Sequence, residues 1–260
     1  MNFRIQPHQL QFKFKAGTSR GVYTTHDVWY VILEKNGVSG IGEIAPLKDL
    51  SIDAIYNLET IIEHKLTDLV KHKLPDSFNE ISDVLHNLNL DNYPSIRFGF
   101  ETALLDFVNG GKRIIFDNDF SKGVKKTPIN GLIWMGEKEF MFKQVKEKIE
   151  QGFSCIKMKI GAIDFKQECE ILQYIRSHFT SSEIELRVDA NGAFTPDDAL
   201  EKLKELSQFE IHSIEQPIAP KHWEIMKSLC IRTPLPIALD EELIGINSLD
   251  EKKEILELIK

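Results

Sequence analysis

The stretch Ile184-Glu185-Leu186-Arg187-Val188-Asp189 is an apolar run that ends in a carboxylate. Two later apolar runs end in the same way, with Glu215 after Ile211 to Ile214 and Asp240 after Pro236 to Leu239. The three carboxylates follow one another by 26 and 25 residues. This spacing matches one strand, loop, helix and loop of a β/α barrel, whose usual length is roughly 250 residues. The sequence therefore predicts consecutive parallel strands with acidic ends.

An earlier run, Cys155 to Gly161, contains two lysines, and its second lysine, Lys159, lies 30 residues before Asp189. Because side chains alternate along a strand, Lys157 and Lys159 point to the same face, and parallel strands bring their carboxyl ends to one rim. We therefore predict that three carboxylates and two ammonium groups converge. Taken singly, each acid could instead cap a helix or be solvated, and the lysines could line the exposed face of an edge strand.

Three converging carboxylates repel one another unless a cation neutralises them. A set of oxygen ligands without histidine or cysteine favours Mg²⁺, or alternatively Mn²⁺. A lysine beside such a cation is shifted toward its neutral form, which can remove a weakly acidic proton. The predicted chemistry is removal of a proton α to a carboxylate, with the metal stabilising the resulting oxyanion.

Further motifs occur in a fixed order along the chain and give it a resemblance to a known family. The motifs are Gly40 to Leu47, Arg97 to Asp106, Asn130 to Ile133, Val188 to Ala193, Ile214 to Pro217 and Leu239 to Glu241. With the strand ends above, they resemble the enolase superfamily, its muconate-lactonizing subgroup and, within that, the o-succinylbenzoate synthase family.

The resemblance implies roles for individual residues. It implies that Lys159 is the catalytic acid and base and that Lys157 beside it shapes the electrostatics. The implied metal ligands are Asp189, Glu215 and Asp240. Two residues, Asn191 and Glu241, match positions that support the ligands or lysines, and Arg20 matches a loop that covers the substrate.

The reaction implied by the resemblance is the Mg²⁺-dependent syn dehydration of 2-succinyl-6-hydroxy-2,4-cyclohexadiene-1-carboxylate to 2-succinylbenzoate, a step of menaquinone biosynthesis. Two alternatives stay open. The same metal and lysine pair would serve a carboxylate racemase, epimerase or cycloisomerase, and the chain could be a fragment that is not catalytic.

The expected fold class is α/β, with an N-terminal α+β capping domain over residues 1–125 and a TIM-type β/α barrel over residues 126–260. Only 20 residues follow Asp240, so we expect a barrel truncated after about five β/α units. The family has a further lysine on the sixth strand, and the sequence offers no match for it. Its absence predicts impaired turnover.

Composition limits the other partners. The chain has 260 residues and a formal net charge of −8, which argues against a nucleic-acid partner that needs a basic face. No leader with an apolar core and no membrane span is evident, and the three cysteines lack CxxC spacing, so a reducing cytoplasm is expected. The predicted partner is a small-molecule carboxylate, with the oligomeric state left open.

Overall fold

A computed structural model of the chain describes residues 2–18, 21–75, 77–246 and 248–259. Arg20, which the resemblance links to substrate binding, lies outside these residues. The polypeptide forms two compact units, and apart from residues 17–21 the division falls between Thr127 and Pro128.

The first unit combines a three-stranded sheet with three helices. The strands are β1 (Asn2–Thr18), β2 (Gly21–Lys35) and β3 (Val38–Ile44), in the order β1-β2-β3. Strands β2 and β3 form an antiparallel hairpin, whose turn residues Asn36 and Gly37 have φ of 52° and 81°. The helices are α1 (Leu58–Lys71), α2 (Phe78–Asn87) and α3 (Pro94–Val108), and they bury their apolar faces in one core with the sheet.

Helix α3 lies against β3 with backbone touching backbone, because glycine stands at the contact on both elements. A Cβ atom at Gly42 would overlap the carbonyl oxygen of Gly99, and one at Gly99 would overlap the side chain of Ile44. Phe100 and Leu104 of the same helix are fully buried beside this contact. The glycine pair therefore sets how closely the helix approaches the sheet.

The second unit repeats strand and helix five times. Its elements are β4 (Gly131–Ile133), α4 (Lys138–Glu150), β5 (Cys155–Lys159), α5 (Phe165–His178), β6 (Glu185–Asp189), α6 (Ala199–Ser207), β7 (Ser213–Glu215), α7 (Trp223–Arg232), β8 (Ile237–Ala238) and α8 (Leu249–Ile259). A short 3₁₀ turn, Glu241–Leu243, lies between β8 and α8. The strands form a parallel sheet in the order β4-β5-β6-β7-β8.

This sheet confirms the predicted α/β fold class with its antiparallel cap and partial barrel. Residues that alternate with the polar ones, such as Ile156, Met158 and Val188, are buried against the helices. Because successive side chains of a strand point to opposite faces, one face packs on the helices and the other carries the charged side chains. Among the described residues, no helix is long and apolar enough to cross a membrane.

The contact between β3 and α3 gives a first prediction. Gly42→Ala should lower the free energy of unfolding by about 1–3 kcal/mol, because the added methyl group forces the helix away from the strand. Urea unfolding followed by circular dichroism measures the change. Ser39→Ala in the same strand adds no atom and is the control. Equal stability of the two variants would show that the helix can move outward without loss of packing.

Candidate active site

The ends of three neighbouring strands form the centre of the candidate site. In the parallel register Lys159 of β5 lies opposite Asp189 of β6, and Asp189 lies opposite Glu215 of β7. Lys157, two residues earlier on β5, donates from Nζ to Glu215 Oε2 at 2.6 Å and lies 3.0 Å from Asp189 Oδ2. One ammonium group therefore bridges the carboxylates of two adjacent strands.

Lys159 has its own set of partners at the rim. Its Nζ lies 3.1 Å from Asp189 Oδ2 and 2.7 Å from Asn191 Oδ1. The indole ring of Trp134, at the end of β4, lies below the same Nζ at 5.8 Å from its centroid. Asn191 also donates from Nδ2 to Glu241 Oε1 at 3.1 Å, and its backbone N–H donates to Asp189 Oδ1 at 3.0 Å. Asn191 thus joins the lysine to the turn after β8.

The pKa shifts of Asp189 and Lys157 reflect the short distances between the lysines and the acids. Burial would raise the pKa of Asp189, but the charges and hydrogen bonds of Lys159 and Lys157 outweigh it, so the pKa lies below its ordinary value. Burial alone would lower the pKa of Lys157. Its hydrogen bonds to Glu215 and Asp189 and their charges outweigh burial, so the pKa lies above its ordinary value. Asp189 is therefore an anion held by two cations.

The pKa values of the other two acids, Glu215 and Asp240, are shifted upward. Burial raises the pKa of Glu215, and the charges of Asp189 and Asp240 raise it further against the opposing hydrogen bond from Lys157. Burial followed by the charges of Glu241 and Asp189 raises the pKa of Asp240. The three predicted ligands therefore lie close enough to repel one another.

The rim offers carboxylate oxygens as donors for a divalent cation. Within the described ranges, no three His, Cys, Asp or Glu side chains already stand in an arrangement that would hold a metal ion. The lysine ammonium groups lie between the carboxylates instead. Three carboxylates that repel one another at one rim would be stabilised by a hard divalent cation, and oxygen ligands are those that Mg²⁺ prefers. The residue types therefore fit Mg²⁺, although in this structure the carboxylates of Asp189 and Glu215 contact the lysines.

The structure thus brings most of the predicted residues together. Direct contacts join Lys157, Lys159, Asp189, Glu215, Asn191 and Glu241. Asp240 lies just beyond β8, where it joins the group through electrostatics and through its backbone N–H, which donates to Gln216. Arg20 is the exception, because it falls outside the described residues.

Three residues of this region were missed by the sequence reasoning. Trp134 directly follows the first barrel strand, a position that could have signalled a side chain at the rim. Gln216 belongs to the motif Ile214 to Pro217 but received no role. Glu168 lies in helix α5 with no sequence signal, because its partners are backbone groups of a loop.

Glu168 fastens the loop that follows Lys159. Its side chain is fully buried, and Oε1 accepts hydrogen bonds from the backbone N–H groups of Gly161 at 2.6 Å and Ala162 at 3.3 Å. Gly161 has φ of 93°, a conformation that favours glycine. Burial raises the pKa of Glu168 to about 6, although the backbone N–H groups oppose the shift. The carboxylate therefore holds the loop at an energetic cost near neutral pH.

Known families match this chain in sequence. Residues 141–254 match the family described as enolase C-terminal domain-like. The o-succinylbenzoate synthase of Desulfotalea psychrophila is 40% identical over 281 residues, covering 100% of this chain and 76% of that protein. The L-Ala-D/L-Glu epimerase of Bacillus subtilis is 25% identical over 237 residues, covering 86% of this chain but only 61% of the epimerase.

Solved structures are similar in fold. The crystal structure of MenC from Desulfotalea psychrophila has a TM-score of 0.86 at 36% identity, covering 100% of this chain and 76% of that one. The o-succinylbenzoate synthase of Thermosynechococcus elongatus, complexed with Mg in its active site, has a TM-score of 0.72 at 24% identity and covers 93% of this chain and 69% of that one. The second likeness concerns the fold alone.

Glu168 generates a pH prediction. Because its folded-state pKa of about 6 lies above the ordinary 4.5, the folded chain gains a proton in this window and its stability falls as the pH rises through it. Relative to Glu168→Gln, the free energy of unfolding of the parent should drop by about 2 kcal/mol from below pH 4.5 to pH 7.

Urea unfolding of both proteins across this pH range measures the difference. Glu150→Gln, at an exposed position at the end of α4, should reproduce the pH dependence of the parent. If Glu168→Gln also reproduces it, then the buried carboxylate does not titrate in this window and the prediction is wrong.

Proposed function

We propose that this chain, which belongs to the o-succinylbenzoate synthase family of the enolase superfamily, catalyses the syn dehydration of 2-succinyl-6-hydroxy-2,4-cyclohexadiene-1-carboxylate to 2-succinylbenzoate. The observation that carries the proposal is the row of Lys159, Asp189 and Glu215 in register at the ends of adjacent parallel strands. Such a row places a base beside a set of carboxylates on one rigid edge, where geometry is better fixed than on loops.

Asp189, Glu215 and Asp240 would hold Mg²⁺, as oxygen ligands suit this ion. When bound, Mg²⁺ supplies a positive charge that stabilises the negative charge developing on the substrate carboxylate. With the cation bound beside it, the ammonium group of Lys159 would lose its proton, and the resulting neutral amine would take the α-proton of the substrate. The electron pair of the broken C–H bond then forms the ring double bond as the C–O bond breaks. Lys159 returns its proton to the departing hydroxide, which leaves as water, and the amine is restored.

Neighbouring residues position the amine of Lys159 and balance the charges around it. Asn191 Oδ1, 2.7 Å from Nζ, orients the amine, and the ring of Trp134 lies beneath Nζ, with its centroid at 5.8 Å. Lys157 stays bonded to Glu215 and Asp189, so its charge balances the acids at the rim. In this proposal Lys159 moves the proton while Lys157 keeps the ligands in place.

A related carboxylate epimerase is the second candidate, because the B. subtilis epimerase aligns over 86% of this chain. The higher identity to the synthase, 40% against 25%, favours dehydration. Loss of water produces an aromatic ring with a new ultraviolet absorbance, whereas an epimerase acting on L-Ala-L-Glu changes optical rotation only. Measuring both substrates with one preparation separates these functions from each other and from a chain without turnover.

The cellular setting is part of the same proposal. The free thiols of Cys155, Cys169 and Cys230 support the proposal of a reducing cytoplasm. We place the reaction in menaquinone biosynthesis, with residues 1–125 as the capping domain and a small-molecule carboxylate as the substrate.

Replacement of the base tests the mechanism. Lys159→Ala should lower kcat by roughly 10²- to 10⁴-fold, the range typical for loss of a general acid and base, and should leave Mg²⁺ affinity nearly intact. Steady-state ultraviolet assays and isothermal titration calorimetry measure the two quantities. Lys146→Ala, on the exposed face of α4, is the matched control. Normal turnover of Lys159→Ala would defeat the assignment of the base.

Replacement of a ligand tests the metal site separately. At an Mg²⁺ concentration 100 times its Kd, the parent should gain about 2.7 kcal/mol in free energy of unfolding. Asp189→Asn should lose most of this gain, because it removes a ligand charge. Urea unfolding with and without Mg²⁺ gives the gain for each protein. Asp197→Asn, at an exposed site before α6, should behave as the parent. An equal gain in Asp189→Asn would remove Asp189 from the ligand set.

A further inference from the structure

The side chain of Gln216 is fully buried between the end of β7 and the turn after β8. Its Oε1 accepts hydrogen bonds from the backbone N–H groups of Asp240 and Glu242, each at 3.2 Å. Its Nε2 donates to the carbonyl of Ile218 and to Glu242 Oε2, each at 3.0 Å. Both donors and both acceptor positions of the amide are therefore used, which is the full capacity of a glutamine side chain.

The backbone of Gln216 joins the same loops. Its N–H donates to the carbonyl of Ala238 in β8 at 2.9 Å, and its carbonyl accepts from Gly192 in the loop after β6 at 2.7 Å. The residue has φ of 39°, in the left-handed region that a residue other than glycine rarely adopts. Such a conformation persists where the surrounding bonds fix it. One residue therefore ties together the loops that follow three neighbouring strands.

Glu242 completes the arrangement from the other side. It is almost fully buried, and its Oε1 accepts from the backbone N–H of Lys221 at 2.6 Å while Oε2 accepts from Gln216. The hydrogen bond between the two side chains has a defined direction, from amide to carboxylate. The amide at position 216 accepts from the two N–H groups and also donates to Glu242, which an ionised carboxylate there could not do.

The hydrogen bonds of Gln216 connect two of the proposed metal ligands. Gln216 directly follows Glu215, and its Oε1 holds the N–H of Asp240, so its side chain spans two of the three proposed ligands. Sheet pairing of β7 with β8 ends at Glu215 and Ala238, two residues before Asp240. Beyond that point the side chain of Gln216 takes over from the sheet in fixing the distance between the two strand ends.

We propose that Gln216 is a positioning residue that sets the spacing of Glu215 and Asp240, with Glu242 as its partner, and thereby determines the affinity of the site for Mg²⁺. This inference rests on the metal site of the proposed function. It concerns binding of the ion, so it is tested without turnover.

The first test compares two glutamines that hold backbone in the same way. Gln216→Leu should weaken Mg²⁺ binding, measured by isothermal titration calorimetry, by roughly 10- to 100-fold, the usual cost of losing a residue that supports metal ligands. Gln144 accepts from the N–H of Trp134 and donates to its carbonyl, each at 2.9 Å, but supports no proposed ligand. Gln144→Leu should therefore lower the melting temperature and leave Mg²⁺ affinity unchanged. Equal affinity in both variants would overturn the inference.

The second test uses the direction of the bond and covers the case in which Gln216→Leu does not fold. Gln216→Glu keeps the acceptors for Asp240 and Glu242 but places carboxylate oxygens against Glu242 and against the carbonyl of Ile218, so Mg²⁺ affinity should fall. Adding Glu242→Gln restores a donor and an acceptor between the two side chains but not the bond to Ile218, so affinity should recover in part. Failure to recover would count against a positioning role.

The outcomes separate this inference from the proposed function. Mg²⁺ binding to the parent without dehydratase turnover would overturn the reaction and leave the role of Gln216 standing. No measurable binding to the parent would overturn both. Binding by the parent with unchanged affinity in the position 216 variants would overturn the role of Gln216 alone.

Discussion

The bridge of Lys157 between Asp189 and Glu215 is the interaction on which the site depends, with Nζ to oxygen distances of 3.0 and 2.6 Å. Parallel pairing forces like charges to neighbouring strand ends, and a partly buried carboxylate without a partner is costly. A lysine on the adjacent strand compensates this charge from within the same sheet. Since both groups sit on the strands themselves, the compensation needs no flexible loop.

The same bridge explains why the acids differ in character. Asp189 touches two ammonium groups and is held as an anion, whereas repulsion and burial raise the pKa values of Glu215 and Asp240. A divalent cation would relieve that repulsion, and the lysines supply positive charge to the same oxygens. Charge balance at the rim thus links the proposed base, its neighbour and the proposed ligands in one system.

Behind the charged rim, hydrogen bonds to backbone hold the loops that the sheet no longer pairs. Glu168 binds the loop after β5, and Gln216 binds the loop after β7 to the turn after β8. Each is a buried side chain on one segment that satisfies backbone N–H groups of another. These buried hydrogen bonds favour one arrangement of the loops over its neighbours.

The sequence by itself determined the fold class and the row of charged strand ends, because a spacing of 25 to 30 residues and a side-chain period of two are properties of the chain. It also identified Lys159 and Asp189 as neighbours. Only the tertiary structure decided that Lys157 bridges two acids, that Trp134 lies under Lys159, and that Gln216 holds Asp240. Those contacts depend on the paths of the loops and on which backbone groups the sheet leaves unpaired. Neither produces a repeating pattern of residues that could be recognised in the sequence.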